Sequence, residues 1–218
     1  MFSVQKLDLL VSFYICCIAL SELMGAKTFP LATVAGYQLN ASVAIFILPL
    51  IFSINDVITE VYGKERAKSI VRSGLFVVAF IFLFSLLATY LPASTRFKNT
   101  EAAYDTIFGL SARISEASLL AFTIAEFLDI YVYTAIRKKF GKKKLWLRNN
   151  VSNFISQFMD TCVFMTLAFW MFDKPFDSNV LFLWSLILPY WLLKCFMSII
   201  ETPLVYIGVS WLQSETKK

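Results

Sequence analysis

The feature that most constrains this chain is its series of long apolar runs. Residues 41–54 hold no charged side chain and only Ser42 and Ser53 as polar side chains, and comparable runs recur along the 218 residues. Runs of this kind are typical of helices embedded in hydrocarbon. The composition agrees, because 58 % of the residues are apolar and the mean hydropathy is +0.68. The chain is therefore predicted to be a polytopic membrane protein.

The apolar runs predict an all-α integral membrane protein with six transmembrane helices in a single membrane domain, residues 1–218. The predicted spans are residues 7–25, 41–62, 73–91, 115–136, 150–172 and 180–212. The first is interpreted as a retained span and not as a signal peptide. The last is longer than a hydrocarbon core of about 30 Å requires, so kinks are predicted at Pro189 and Pro203.

The distribution of basic residues predicts the orientation. Fourteen of the 20 lysines and arginines lie at position 6, in 64–72, in 137–148 or at 217–218, all of which the six spans place on one side. Basic segments stay on the cytoplasmic side, so both termini are predicted to be cytoplasmic. Segment 137–148 is interpreted as a loop close to anionic lipid and not as a nucleic-acid surface. Six spans with both ends inside also allow two inverted three-helix halves.

Several chemistries are excluded by what the sequence lacks. It contains no histidine, its four cysteines show no CxxC spacing, and it has no GxxxxGK phosphate-binding loop. No metal site, no cofactor and no ATP hydrolysis within this chain are therefore predicted.

An acidic pair stands at the end of the second apolar run. Asp56 and Glu60 are four residues apart and project from the same side of a helix. An ionised carboxylate in lipid costs about 2.5 kcal/mol or more, so such residues normally face a cavity lined by protein. The alternative is that both acids lie in a solvated helix end at the cytoplasmic interface.

The fifth span carries a stripe of amides that ends in an acid. Asn149, Asn153, Gln157 and Asp160 follow one another at steps of four, four and three, so they share one side of a helix. The sixth span contributes Lys194, whose ammonium group would be costly alone in the membrane. We expect it to pair with Asp160, Glu126 or Asp56.

The spans hold more acids than bases, which favours a polar cavity for a ligand rich in hydrogen-bond donors. The alternative is that these groups only bond the helices together. The candidate substrate-binding residues are Asp56, Glu60, Glu126, Asp129, Asn153, Gln157, Asp160 and Lys194. Glu22 and Glu201 are candidates for proton or ion coupling. Trp170, Trp184 and Trp191 are interpreted mainly as interfacial anchors, although one or two aromatic rings could stack on a planar ligand.

Three motifs in order carry a resemblance to a known family. They are NDVITEVYG at 55–63, the amide stripe RNNVSNFISQFMDT at 148–161, and Lys194 followed by Glu201-Thr202-Pro203. Together they resemble the queuosine-precursor transporter family, also described as vitamin uptake transporters.

The resemblance implies import of a 7-deazaguanine-type base, such as preQ0, preQ1 or queuine, across the bacterial inner membrane by a secondary carrier, for salvage into tRNA modification. The implied partners are a small planar base and membrane lipid, with no nucleic acid. Whether the protein forms a homo-oligomer stays an open question.

Two other classes of protein stay in view. One is a substrate-binding membrane subunit that needs a separate ATPase, and it would have the same cavity. The other is an integral-membrane enzyme, in which Glu126 and Asp129 would serve as acid and base. The absence of histidine and of a nucleophile motif makes the enzyme the weakest reading.

The predicted topology can be tested by labelling. Cysteines introduced into 64–72 and 137–148 are expected to react with a membrane-impermeant reagent from the cytoplasmic side, and those in 92–114 from outside. The opposite pattern would reverse the assigned orientation.

Overall fold

The computed structural model describes the backbone of residues 5–140 and 145–216. It describes their side chains except those at 64, 126, 129–130, 133–134, 136–140, 145–153, 197–202 and 214–216. The elements are α1 (Lys6–Met24), β1 (Thr28–Val34), β2 (Tyr37–Ser42), a 3-10 turn (Val43–Phe46), α2 (Leu48–Tyr62), α3 (Lys64–Tyr90), α4 (Glu101–Phe140), α5 (Leu145–Phe169) and α6 (Phe176–Thr216). The described chain is therefore mostly helical.

Five helical segments of the described chain are long and apolar enough to cross a membrane. They are Lys6–Met24, Val43–Tyr62, Glu65–Tyr90, Glu101–Ala125 and Phe176–Phe196, and α5 adds the shorter apolar segment Phe154–Phe169. The expectation of a helical, multi-pass membrane protein is confirmed. Six spans, cytoplasmic termini, inverted halves and a single membrane domain stay predictions.

The helices extend beyond the apolar runs from which the spans were predicted. Helix α4 begins at Glu101 and α3 at Lys64, both within segments expected to be connections. Charged side chains at the polar end of a helix mark where it leaves the hydrocarbon and need not end it. Helix α6 continues through Pro189 and Pro203 without interruption. Proline is tolerated within membrane helices because neighbouring groups satisfy the freed carbonyl.

The chain forms two compact units. The first comprises Met1–Phe29, Ser42–Ser115 and Phe196–Lys218, and the second Pro30–Ala41 and Glu116–Cys195. In the first unit, α1, α2 and α3 pack together around a core of buried apolar side chains. This core consists of Tyr14, Ile54, Ile58, Ala67 and Ile70.

Gly63 joins α2 to α3 and explains the glycine that ends the NDVITEVYG motif. Its φ of 84° and ψ of 165° belong to a region that is essentially restricted to glycine. Its amide closes α2 by donating to the Thr59 carbonyl at 2.9 Å. The chain can therefore end one helix here and begin the next without a loop.

A β-hairpin, which the sequence analysis did not predict, lies between α1 and α2. Strands β1 and β2 pair across Ala35 and Gly36, whose φ values of 50° and 80° are both positive, as in a two-residue hairpin turn. The Tyr37 hydroxyl donates to the Leu181 carbonyl at 2.5 Å. Desolvation by partial burial raises the pKa of the Tyr37 hydroxyl above its usual value.

The turn between α5 and α6 is held by one buried amide side chain. Asn179 is 4 % exposed. Its Oδ1 accepts from the Met171 amide at 2.9 Å, and its Nδ2 donates to the Met171 carbonyl at 2.7 Å and the Lys174 carbonyl at 3.2 Å. These bonds satisfy backbone groups that the end of α5 leaves open, and they fix the start of α6 beside it.

Close packing of α6 on α2 in the first unit gives a stability prediction. A Cβ at Gly208 would lie 2.6 Å from Val57 Cγ2, a stiff β-branched side chain. We expect Gly208→Ala to lower the free energy of unfolding by about 1–3 kcal/mol through overpacking. The measurement is thermal unfolding of the purified protein in detergent.

Gly109→Ala is the matched control, because nothing lies within 4 Å of a Cβ at Gly109 in α4. Alanine is the better helix former, so this variant should be unchanged or more stable by up to about 1 kcal/mol. Equal thermal midpoints for the two variants would contradict the close approach of α6 and α2.

Candidate functional site

A charged pair joins α5 to α6 within the second unit. Lys194 Nζ donates to Asp160 Oδ2 at 2.5 Å and to Thr161 Oγ1 at 3.1 Å. The two charged side chains are largely enclosed, with 13 % of Lys194 and 29 % of Asp160 exposed. The expectation that Lys194 pairs with an acid is confirmed, and of the three candidates the partner is Asp160.

Thr161 sets the direction of the lysine. It is 1 % exposed, and its hydroxyl donates to the Gln157 carbonyl at 2.9 Å. Because the single hydroxyl proton is committed to that carbonyl, the oxygen presents its lone pairs to Lys194. Sequence reasoning did not place Thr161 in the site, although its position beside Asp160 in the amide stripe was a usable signal.

Aromatic rings pack between the same two helices. The Trp191 ring stands edge-to-face against Phe154 and Phe158, with ring centroids 4.9 Å and 5.3 Å apart. Trp191 precedes Lys194 by three residues, so the two share one side of α6. Apolar neighbours keep the local dielectric low, which strengthens the hydrogen bonds of the ion pair.

Asp160 retains an unused acceptor. Lys194 occupies Oδ2, and no described residue donates a hydrogen bond to Oδ1. A carboxylate can accept about four hydrogen bonds, so this side chain can bind a further donor without releasing the lysine. The cluster of Asp160, Lys194 and Thr161 can therefore hold a polar ligand while its own charges balance.

The structure distributes the other predicted site residues over both units. Gln157 is half-buried on α5 in the second unit. Asp56 and Glu60 are exposed on α2 in the first unit, on the side of the helix away from the buried Val57 and Ile58. Their exposure agrees with both interpretations of this acidic pair.

The remaining candidate residues are one described acid and four undescribed side chains. Glu22 is buried in α1, with 6 % of the residue exposed. The side chains of Glu126, Asp129, Asn153 and Glu201 lie outside the described residues. Their assigned roles stay predictions.

The described part of the chain holds no group of three or more histidine, cysteine, aspartate or glutamate side chains that could bind a metal ion. The polar cluster is a pair of opposite charges and a hydroxyl, which is not a set of metal ligands.

The fold and the cluster define a multi-pass α-helical membrane protein with a charged pair and aromatic rings between two of its helices. Residues 42–208 match the family model described as "Putative vitamin uptake transporter". The match covers most of the sequence, and the chain belongs to this family.

Three curated relatives carry related names. The chain is 32 % identical over 187 residues to the "Probable queuosine precursor transporter" of Bacillus subtilis (strain 168), covering 85 % of this chain and 79 % of that protein. It is 26 % identical over 137 residues to the "Queuosine precursor transporter" of Escherichia coli (strain K12), covering 62 % of this chain and 58 % of the relative. For the "Probable queuosine precursor transporter" of Haemophilus influenzae (strain ATCC 51907 / DSM 11121 / KW20 / Rd) the identity is 29 % over 133 residues, covering 60 % and 53 %. No solved structure gives a significant match.

The ion pair predicts a rescue experiment. Asp160→Asn and Lys194→Met each leave one charge without its counter-charge, so each should lower the free energy of unfolding by about 3 kcal/mol. This value is at the lower end of the range for broken buried ion pairs, because both side chains keep some exposure. The double variant should recover most of that stability, since no uncompensated charge is left. Thermal unfolding of the three proteins in detergent makes the comparison.

Glu65→Gln is the control, because Glu65 and Lys68 form an exposed pair at 3.7 Å on α3. Exposed pairs contribute little, so its thermal midpoint should stay close to that of the unchanged protein. Single variants of the Asp160 pair that are as stable as this control would show that the pair does not support the fold.

Proposed function

We propose that this chain is a secondary carrier that imports a queuosine precursor, a 7-deazaguanine-type base such as preQ0, preQ1 or queuine, across the bacterial inner membrane. Family membership and the names of the three relatives support a membrane transporter for this class of substrate, and argue for transport over catalysis. The observation that carries the proposal within this chain is the polar cluster of Asp160, Lys194 and Thr161 between apolar helices.

The cluster suits one edge of such a base. A guanine-like ring presents an N–H and an exocyclic amine side by side, which a carboxylate accepts well. Asp160 Oδ1 offers that acceptor, and Lys194 balances the carboxylate charge so that a neutral base enters a neutral site. The rings of Phe154, Phe158 and Trp191 add apolar surface for a planar ligand.

The other candidate residues are also proposed to bind the substrate. Asn153 and Gln157 continue the stripe of α5 that ends at Asp160. The carboxylates of Asp56, Glu60, Glu126 and Asp129 would meet donors of the base, including the aminomethyl cation of a precursor that carries one.

Purified protein in liposomes tests the proposal. Radiolabelled preQ0 should enter protein-containing vesicles and should not enter empty ones. Binding without uptake would instead indicate a subunit that depends on a separate ATPase, and absence of both binding and uptake of all three bases would refute the assignment. Conversion of the base to a new compound would indicate an enzyme.

Coupling to protons gives a separate prediction. Glu22 lies buried in α1, and an acid at membrane depth is a candidate for carrying a proton through the transport cycle. Glu22→Gln cannot release a proton, so it should abolish accumulation of preQ0 above equilibrium under an imposed proton gradient. Exchange of internal for external preQ0 should persist, since binding is left intact.

Glu65→Gln serves as the control here too, because Glu65 is an exposed acid on α3. It should accumulate preQ0 as the unchanged protein does, and a protonophore should stop accumulation in both. Normal accumulation by Glu22→Gln would remove Glu22 from the coupling mechanism and leave Glu201 as the remaining candidate.

A further inference from the structure

The indole nitrogen of Trp191 is a buried donor that the protein does not use. Among the described residues, it is the one buried side-chain nitrogen without a hydrogen-bond partner. The indole N–H can only donate, and its direction is fixed by the ring. A buried donor without an acceptor is a free-energy cost, which native structures rarely carry without a reason.

The neighbours of Trp191 enclose this donor without supplying an acceptor for it. Phe154 and Phe158 of α5 stand edge-to-face against its ring, and neither offers a conventional acceptor. One turn further along α6, Lys194 is committed to Asp160 and Thr161. The cluster of Asp160, Lys194 and Thr161 therefore has an unused acceptor, Asp160 Oδ1, and Trp191 on the same side of α6 as Lys194 has an unused donor, Nε1.

We propose that Trp191 Nε1 donates a hydrogen bond to the ring carbonyl of the substrate, while Asp160 accepts from the ring N–H beside that carbonyl. This assignment rests on the proposed function and specifies which edge of the base is read. A carbonyl beside an N–H offers an acceptor for the indole donor and a donor for Asp160 Oδ1. Movement of the Phe154 or Phe158 ring admits the carbonyl to the enclosed nitrogen.

The arrangement makes Trp191 a specificity-determining residue. A base with an amine in place of the carbonyl would bring a donor against the indole donor. The amine would lose its hydrogen bond to water without replacement, and the indole N–H would stay without an acceptor. A site built around hydrogen bonds rejects such analogues far more strongly than an apolar pocket does. The carrier should therefore select bases of the guanine type over those of the adenine type.

Binding of two bases to the full-length protein in detergent tests the proposal. One is 7-deazaguanine, and the other is its 6-thio analogue, which keeps the N–H and the amine but accepts hydrogen bonds more weakly. The unchanged protein should bind the oxo base roughly tenfold more tightly, the value of one hydrogen bond at a buried site. Trp191→Phe keeps an aromatic ring but removes the donor, so affinity for the oxo base should fall roughly tenfold and that for the thio base less than about threefold.

Trp184→Phe is the matched control, because Trp184 is 47 % exposed on the same helix. It should bind both bases as the unchanged protein does. If the unchanged protein binds 7-deazaguanine but does not distinguish it from the thio analogue, the role of Trp191 is refuted, whether or not Trp191→Phe folds. The proposed function is not affected by that result. Equal weakening of both bases by Trp191→Phe also refutes it. If the unchanged protein binds neither base, this inference fails, whereas the proposed function is decided by the liposome measurement with preQ0, preQ1 and queuine.

Discussion

The structure depends on the absence of water as a hydrogen-bonding partner within the hydrocarbon. Several threonine hydroxyl groups meet this constraint inside their own helix, by donating to the carbonyl four residues earlier. The described helices show this bond at Thr59, Thr89, Thr106, Thr123 and Thr161, with distances of 2.7–3.0 Å. Charged side chains cannot be satisfied in this way, because one neutral carbonyl does not balance a charge. Asp160 and Lys194 therefore have to find each other across two helices.

The same constraint organises the helical hairpin of α5 and α6. Asn179 closes its turn by satisfying backbone groups at the end of α5, and the pair of Asp160 and Lys194 joins the helices further along. Two polar attachments on one pair of helices restrict both their rotation and their sliding. Thr161 and Trp191 consequently hold defined positions beside the ion pair, which is the precision that a selective binding site needs.

The sequence predicted the parts of this protein that follow from composition and helical spacing. Apolar runs indicated membrane helices, and the steps from Asn153 to Asp160 placed Gln157 and Asp160 on one side of α5. The cost of an isolated ammonium group in the membrane indicated that Lys194 pairs with an acid. Spacing within one helix could not show which of the three candidate acids is the partner. That choice depends on how α5 packs against α6, which is a tertiary property.

The features that were missed have local physical causes. The hairpin turn uses Ala35 at a positive φ, where asparagine or aspartate before glycine would have given a clear signal. Helix α4 begins at Glu101, earlier than the predicted span, because Glu101 and Asp105 interrupt the apolar run without ending the helix. The free donor of Trp191 could not be predicted, since aromatic residues near the ends of spans usually anchor them at the interface.

Charge balance also bears on which precursor the proposed site would favour. With Lys194 bound to Asp160, the cluster carries no net charge, so a neutral base gains hydrogen bonds without adding an uncompensated charge to an enclosed site. A base with an aminomethyl cation would bring a second positive charge toward Lys194, and in a low dielectric that repulsion is poorly screened. Such a base needs a further acid beside the cluster. Without that contribution, the pair at Asp160 favours the neutral precursor.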